Sequence, residues 1–564
     1  MGTISDKLMR IINTKEDIRQ ALISKGYDVP TSIPFKEYAK MILDLPCKVD
    51  SFPDIEGIVA RYSASGLTNE QMAANPVWVD KTGNGHDLQL KNFAWKGMSG
   101  VGGYVADIDE WGTNSTAAYF ERNSIKITAT FKENVSLGLL CHNIKLRQSC
   151  VLKVTGIPEG CDAFLDDRLG NRFYMSEDGV YEIIPSNFLA EALYFSIEKY
   201  PERWYGSKLT IEQLPLYPGA LVFDGVDDYG VCDNFPILTK EKGYTVVALR
   251  QYLVDKSTAY LTANGDSISN TSFILEGNNY RDTWSFGKAT TIQASRILAT
   301  QTSKQYDGVK LNIGTNTEGS NLLQVGKWSK SYSNVAIWEL VFLDHDATEE
   351  ELTKIKDYFV KTYPWLFPDQ AWTVVGKTNE DEDRATIANI TGNGNNLVLS
   401  NLGFIEGSGY NKEGEYAGYL VTDGVDDKIT SSIFEMGNDW TVIGDWELIN
   451  TGKKDNAGIV KFDSIVIYNY NSILINIKNG RNNLILDQNT VNAICSDGRI
   501  YSKDWKESIY NEETESTSKN FLTIGYSGNA YTKIAFKNLA IYPTVLSRED
   551  CIKAYNYLQT LKAK

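Results

Sequence analysis

Two aspartate clusters are the first residues in this chain whose type and spacing could do chemistry. The phrase DGVDD occurs at Asp224 to Asp228 and again at Asp423 to Asp427. Asp224, Asp227 and Asp228, like Asp423, Asp426 and Asp427, present hard carboxylate oxygens of the kind calcium takes, roughly six to eight at a site. The competing reading is plainer: Asp-Gly makes a tight turn and the next carboxylates face water. Calcium at these clusters is therefore the one candidate ligand, and no other cofactor is expected.

Aromatic rings are the second candidate, because a sugar face stacks on an exposed ring. YPERWYGSK places Trp204 and Tyr205 between two strand-like runs, beside Pro201 and Gly206, and Trp111 stands near a second chain boundary. The competing reading is core packing, the usual fate of tryptophan between two sheets; Trp78, Trp338 and Trp440, in apolar strand-like runs, are assigned to it.

Catalysis finds less support. The three histidines, His86, His142 and His345, are far apart in sequence, with few partners for a zinc or histidine-dependent centre. Glycan cleavage needs two carboxylates flanking the scissile bond. The nearest approach is DIDEW at Asp107 to Trp111, which has aspartate in the nucleophile position and no second glutamate in register. TGNG, at Thr82 and again at Thr391, is a turn in which two glycines supply positive φ, too short and wrongly placed for a phosphate loop.

The elements that must position these residues follow from the repeats. The two TGNG phrases lie 309 residues apart, whereas the two DGVDD phrases lie 199 apart. Carrying the shorter offset forward places Thr348 on Ser547, Tyr358 on Tyr557 and Leu340 on Leu539. Residues 224–358 and 423–557 thus read as two copies of one unit, each ending in an apolar strand, a turn and a helix opened by a Thr or Ser cap. The surplus residues fall between the first TGNG and the first DGVDD. They carry short strand-like runs such as SIKITATF, VLKVTGI, ALYFSIE and KLTIEQL, at the spacing of a small β-sandwich. An inserted domain at about 106–215 accounts for the mismatch, since a domain with neighbouring termini fits into a loop.

Residues 1–50 read differently. TKEDIRQALISKG and TSIPFKEYAKMILDLP predict two short helices with caps and stops. Ile18, Ala21 and Leu22 share one face of the first; Phe35, Tyr38 and Ile42 share a stripe of the second. Apolar stripes on helices this short need a partner surface. The chain carries a net charge of −16, which argues against nucleic acid or an anionic membrane as partner. Residues 1–50 hold eight Lys or Arg against seven Asp or Glu, a different surface from the acidic remainder. The sequence shows no signal peptide and no apolar run of membrane-spanning length. Its seven scattered cysteines predict reduced, mostly buried thiols of a protein made in a cytosol.

FDGVDDY at Phe223 to Tyr229, with a closing strand and short terminal helix, resembles the laminin-G-like, concanavalin-type jelly rolls. SDKLMRIINTKEDIRQALISKG, from Ser5 to Gly26, resembles the amino-terminal phrase of structural proteins from tailed, crAss-like phages of gut Bacteroidetes. That resemblance implies a virion component, made in the bacterial cytoplasm, whose amino terminus docks on other virion proteins through Ile18, Ala21, Leu22, Phe35, Tyr38 and Ile42.

The expected fold class is mainly β: a helical docking region at 1–50, a first jelly roll at 51–105 and 216–365, an inserted β-sandwich at 106–215 and a second jelly roll at 366–564. The expected function is a non-enzymatic tail fibre, spike or other appendage whose β-domains reach host-surface glycans, as a homo-oligomer, with a trimer by analogy to fibres. The alternatives are a head fibre or capsid decoration with an architectural role only, a free-standing carbohydrate-binding module and a glycan-cleaving enzyme.

Overall fold

A computed structural model describes Lys15 and residues 52–563 apart from short gaps and the stretches 277–297, 303–319, 450–457 and 510–521. Residues 1–54 and 55–564 are separate compact units. The predicted docking residues Ile18, Ala21, Leu22, Phe35, Tyr38 and Ile42 lie outside the described residues.

The larger unit is mainly β and its ladders are antiparallel. Its first pair of sheets is organised about the strand Asn334–Leu343, NVAIWELVFL, in which every residue after Asn334 is buried. An apolar run of this kind suits a strand covered on both faces. Thr245–Tyr252 pairs along one edge of it. Leu221–Asp224 and Ile58–Ser63 share the other edge end to end. The facing sheet runs from Ile274–Glu276 through Leu323–Val325 and Tyr229–Cys232 to Val77–Trp78. One core, including Tyr62, Trp78, Leu90, Phe223 and Phe342, draws on both sheets.

The same plan recurs downstream. Thr441–Leu448 pairs along one edge of Ile534–Tyr542, and Gln370–Thr373 and Leu420–Val421 share the other. Both spines even carry an irregularity at matching places, Leu249/Arg250 and Asp445/Trp446. A second core around Trp372, Trp440, Trp446 and Phe536 fills this sandwich.

Between Gly112 and Gln213 the chain forms two five-stranded sheets of its own, enclosing a third core. The chain leaves the first sheet after Gly100–Val101 and returns at Leu221–Asp224, and these two strands pair directly, Leu221 opposite Val101. The connecting segments also bond to each other, Gly102 N–H to the Ala220 carbonyl at 2.8 Å and Leu216 N–H to Gly103 at 2.9 Å.

Each spine is followed by a capped helix. Thr348 and Glu351 form a full capping box on Glu349–Thr362, and Ser547 caps Arg548–Leu558. Ile355 and Phe359, four apart, are the buried face of the first helix. Beneath it Glu339, fully buried, pairs with Arg61 at 3.2 Å and accepts from Tyr363 Oη at 2.8 Å, while Arg61 also reaches Tyr358. The position 199 residues after Glu339 is Asn538, so the second copy holds its helix without that charge pair. None of the described helices is long and apolar enough to cross a membrane.

Candidate functional site

The two aspartate loops share one backbone plan. Gly225 and Gly424 both take φ 76°, the left-handed turn that glycine allows. Asp224 Oδ1 accepts from Val226 N–H at 2.7 Å and Asp227 N–H at 3.4 Å; Asp423 Oδ1 accepts from Val425 at 2.7 Å and Asp426 at 3.3 Å. Buried Asp228 and Asp427 each accept from the loop's first N–H, at 3.0 and 2.8 Å. Ser99 Oγ adds a bond to Asp228 at 3.0 Å. Asn92 donates to the Asp227 carbonyl and Asn401 to that of Asp426, both at 3.0 Å, so the offsets of 309 and 199 meet in one contact.

Within each triplet, one oxygen from each carboxylate falls within 4.8 Å of the others. Much of their accepting capacity is nevertheless taken by their own backbone. Burial, reinforced by Asp224 and Asp227 nearby, pushes the Asp228 carboxyl up to about 7 against the bonds from Asp224 N–H and Ser99. Burial raises Asp427 as well. In this structure the carboxylates of both loops lock the turns they sit in, and each triplet retains oxygens close enough together to hold a cation.

The TGNG turns have the expected geometry. Gly83 and Gly85 take φ 80° and 82°, and Gly392 and Gly394 take 77° and 75°.

The ring candidates need correction. Trp204 is fully buried, its ring 4.9 Å from that of Phe131 in the inserted domain's core. The phrase read as an open loop is a four-residue helix, Pro201–Trp204, whose last residue tucks under the sheet. A ring so placed offers no face to a sugar. Its neighbour Tyr205 is 39% exposed and remains at the surface. Trp111 is also largely buried, at 2%.

Trp111 nevertheless lines a hollow of about 350 Å³ together with Asp107, Glu110, Asn143 and Lys145. That volume is in the ordinary range of ligand pockets. Asp107 caps the short turn Ile108–Glu110 and binds Lys96 of the host jelly roll at 2.6 Å. Gly112–Thr113 then pairs with Leu139–Ile144, which brings Asn143, in the left-handed region at φ 58°, to the same mouth. Asp107, Glu110, Trp111, Asn143 and Lys145 thus line one hollow beside the contact between the inserted domain and its host. Nothing in the spacing of Asn143 and Lys145 signalled this; only the pairing of two distant strands does.

The inserted domain also touches the second jelly roll. Lys537 lies 3.6 Å from Glu182 and 3.3 Å from Asp445, and Tyr555 Oη donates to Glu182 at 2.9 Å. Burial alone would lower the lysine, yet Glu182 and Asp445 together raise it.

No family model and no curated protein matches this chain. Among solved structures, a Trypanosoma rangeli sialidase aligns at 7% identity and TM-score 0.25, over 40% of this chain and 41% of its own. The chain thus spans less than half the length of that relative. The same sialidase in complex with sialic acid aligns at 8% identity and TM-score 0.23, over 78% of this chain and 83% of its own. An HCR/D F1240A mutant aligns at 9% and TM-score 0.15, over 87% and 98%. Likenesses this slight carry no argument about activity.

Proposed function

We propose that this chain is a virion appendage of a tailed phage, docking through residues 1–50 and displaying β-sandwiches that bind glycans of the host surface. The observation behind the binding half is the hollow at Asp107, Glu110, Trp111, Asn143 and Lys145. Carboxylate, amide and ammonium groups are the partners that sugar hydroxyls use. The docking half rests on the apolar stripes of the amino-terminal phrase and its resemblance to phage structural proteins.

The test has two arms. Full-length protein and a form lacking residues 1–50 are compared for association with particles, and the truncated form is expected to stay folded and lose association. Wild type and Asn143→Ala are titrated with surface polysaccharide of the bacterial host. Loss of one or two hydrogen bonds predicts about tenfold weaker binding for the variant. Equal binding by both would remove the hollow from the reading.

Glycan cleavage is the second reading, because Asp107 and Glu110 share the hollow's wall. The Lys96 contact commits Asp107 to an ion pair, a poor state for a general acid. Release of reducing ends by wild type and not by Glu110→Gln would favour this reading over the first.

A further inference from the structure

Cys495 and Cys551 lie 56 residues apart in sequence, and both are fully buried in the second jelly roll. Cys495 ends the strand Val491–Cys495, opposite Thr441. Thr441 Oγ1 is 3.7 Å from Cys495 Sγ and accepts from Leu546 N–H at 2.9 Å. Cys551, in the first turns of the terminal helix, directs its thiol at the Leu546 carbonyl, 4.0 Å away. One threonine and one leucine backbone therefore gather the two sulfurs.

Nearness to the Cys551 thiol, with Thr441 and Arg499 assisting, holds Cys495 below the usual thiol range against the effect of burial, and Cys551 is raised in return. The other described cysteines, Cys141, Cys150, Cys161 and Cys232, are all raised, chiefly by burial. Among the described thiols Cys495 alone is drawn below the usual range.

The first copy has no such pair. Opposite Thr245, the counterpart of Thr441, stands Thr302. At the helix position of Cys551 stands Leu352, whose N–H bonds to Thr348 as that of Cys551 bonds to Ser547. The thiol pair is an addition to the shared plan.

We propose that Cys495 and Cys551 are a disulfide site, closed by oxidation after folding, which staples the terminal helix to the sheet of the second jelly roll. Both S–H bonds break and one S–S bond forms. Two protons and two electrons pass to a peroxide, giving water, or to a small-molecule disulfide, giving two thiols. The cross-link closes the chain between Cys495 and Cys551 into a loop, and the gain in stability comes chiefly from the unfolded chain.

The experiment uses the full-length protein, reduced and then incubated with oxidised glutathione or hydrogen peroxide over rising temperatures up to the onset of unfolding. Free thiols are then alkylated in denaturant, counted by mass and located by peptide mapping. Two of the seven thiols are expected to disappear into a 495–551 linked peptide, with the melting temperature rising by several degrees and returning on reduction. Cys551→Ala and, separately, Cys495→Ala should each keep six free thiols and show no rise. Seven free thiols persisting up to unfolding would overturn the proposal, and so would cross-links that join other cysteines.

Discussion

Trp204 stands in a phrase that advertises a loop, with Pro201 before it and Gly206 after it, yet its ring belongs to the core. The local signals marked a break between strands and said nothing of which way the ring would point, because that depends on Phe131, more than 70 residues earlier. Trp204→Ala should cost about 3–5 kcal/mol, as large-to-small core changes do. Trp204→Phe should cost much less, since the indole N–H has no hydrogen-bond partner among the described residues. Urea titration of both variants measures the difference. Asp228 provides a pH test. Its folded carboxyl, at about 7, lies above the ordinary unfolded value, so the native state holds the extra proton between about pH 4 and 7. The stability this gives is complete below that window and is lost as pH rises through it. The melting temperature of Asp228→Asn should therefore gain on wild type by several degrees from pH 4 to pH 7. A constant difference across that range would show that the buried carboxyl does not titrate there.

Turns and helix caps were the most legible elements, because their chemistry is local. TGNG needs two positive-φ residues and has two glycines; Thr348 and Glu351 stand at capping-box spacing and form one. The serine that holds Asp228 was not legible, since Ser99 comes from the far side of the insertion. The two glycine types separate cleanly. At Gly225 an added Cβ would sit 2.7 Å from Asn334 Cβ and 2.9 Å from its backbone nitrogen, whereas Gly83 has nothing within 4 Å. Both have positive φ, so Gly83→Ala should cost about 1–2 kcal/mol from backbone strain alone. Gly225→Ala should cost about 2–4 kcal/mol, because the strand beside it must also shift. Chemical denaturation of the pair distinguishes strain from collision.

The whole larger unit is joined by contacts that no sequence window contains. Glu182 and Lys537 are separated by 355 residues, and each occupies a strand position with nothing to mark it as half of an ion pair. Together with Asp445 and Tyr555 they tie the inserted domain to the second jelly roll. Glu182→Ala would leave Lys537 with Asp445 alone. The cost should be about 2–3 kcal/mol, below the ~3–5 kcal/mol of a wholly broken buried pair. Calorimetry should then resolve a separate transition for the inserted domain; a single unchanged transition would show that the tie is mechanically idle.

The route of the chain through the first sandwich sets an order of events during synthesis. Ile58 pairs with Leu343, 285 residues later, and Val101 with Leu221, so the opening strands leave the ribosome long before their partners exist. At roughly 5–20 residues per second, the first strand waits on the order of a quarter of a minute to a minute. The inserted domain has every sheet partner between Gly112 and Gln213 and is complete well within that interval. When it folds it brings Val101 and Leu221 side by side, removing most of the loop-closure entropy between them. The insertion is therefore expected to act as a nascent-chain clamp: the segment that interrupts the first jelly roll in sequence is the one that would ready it to close.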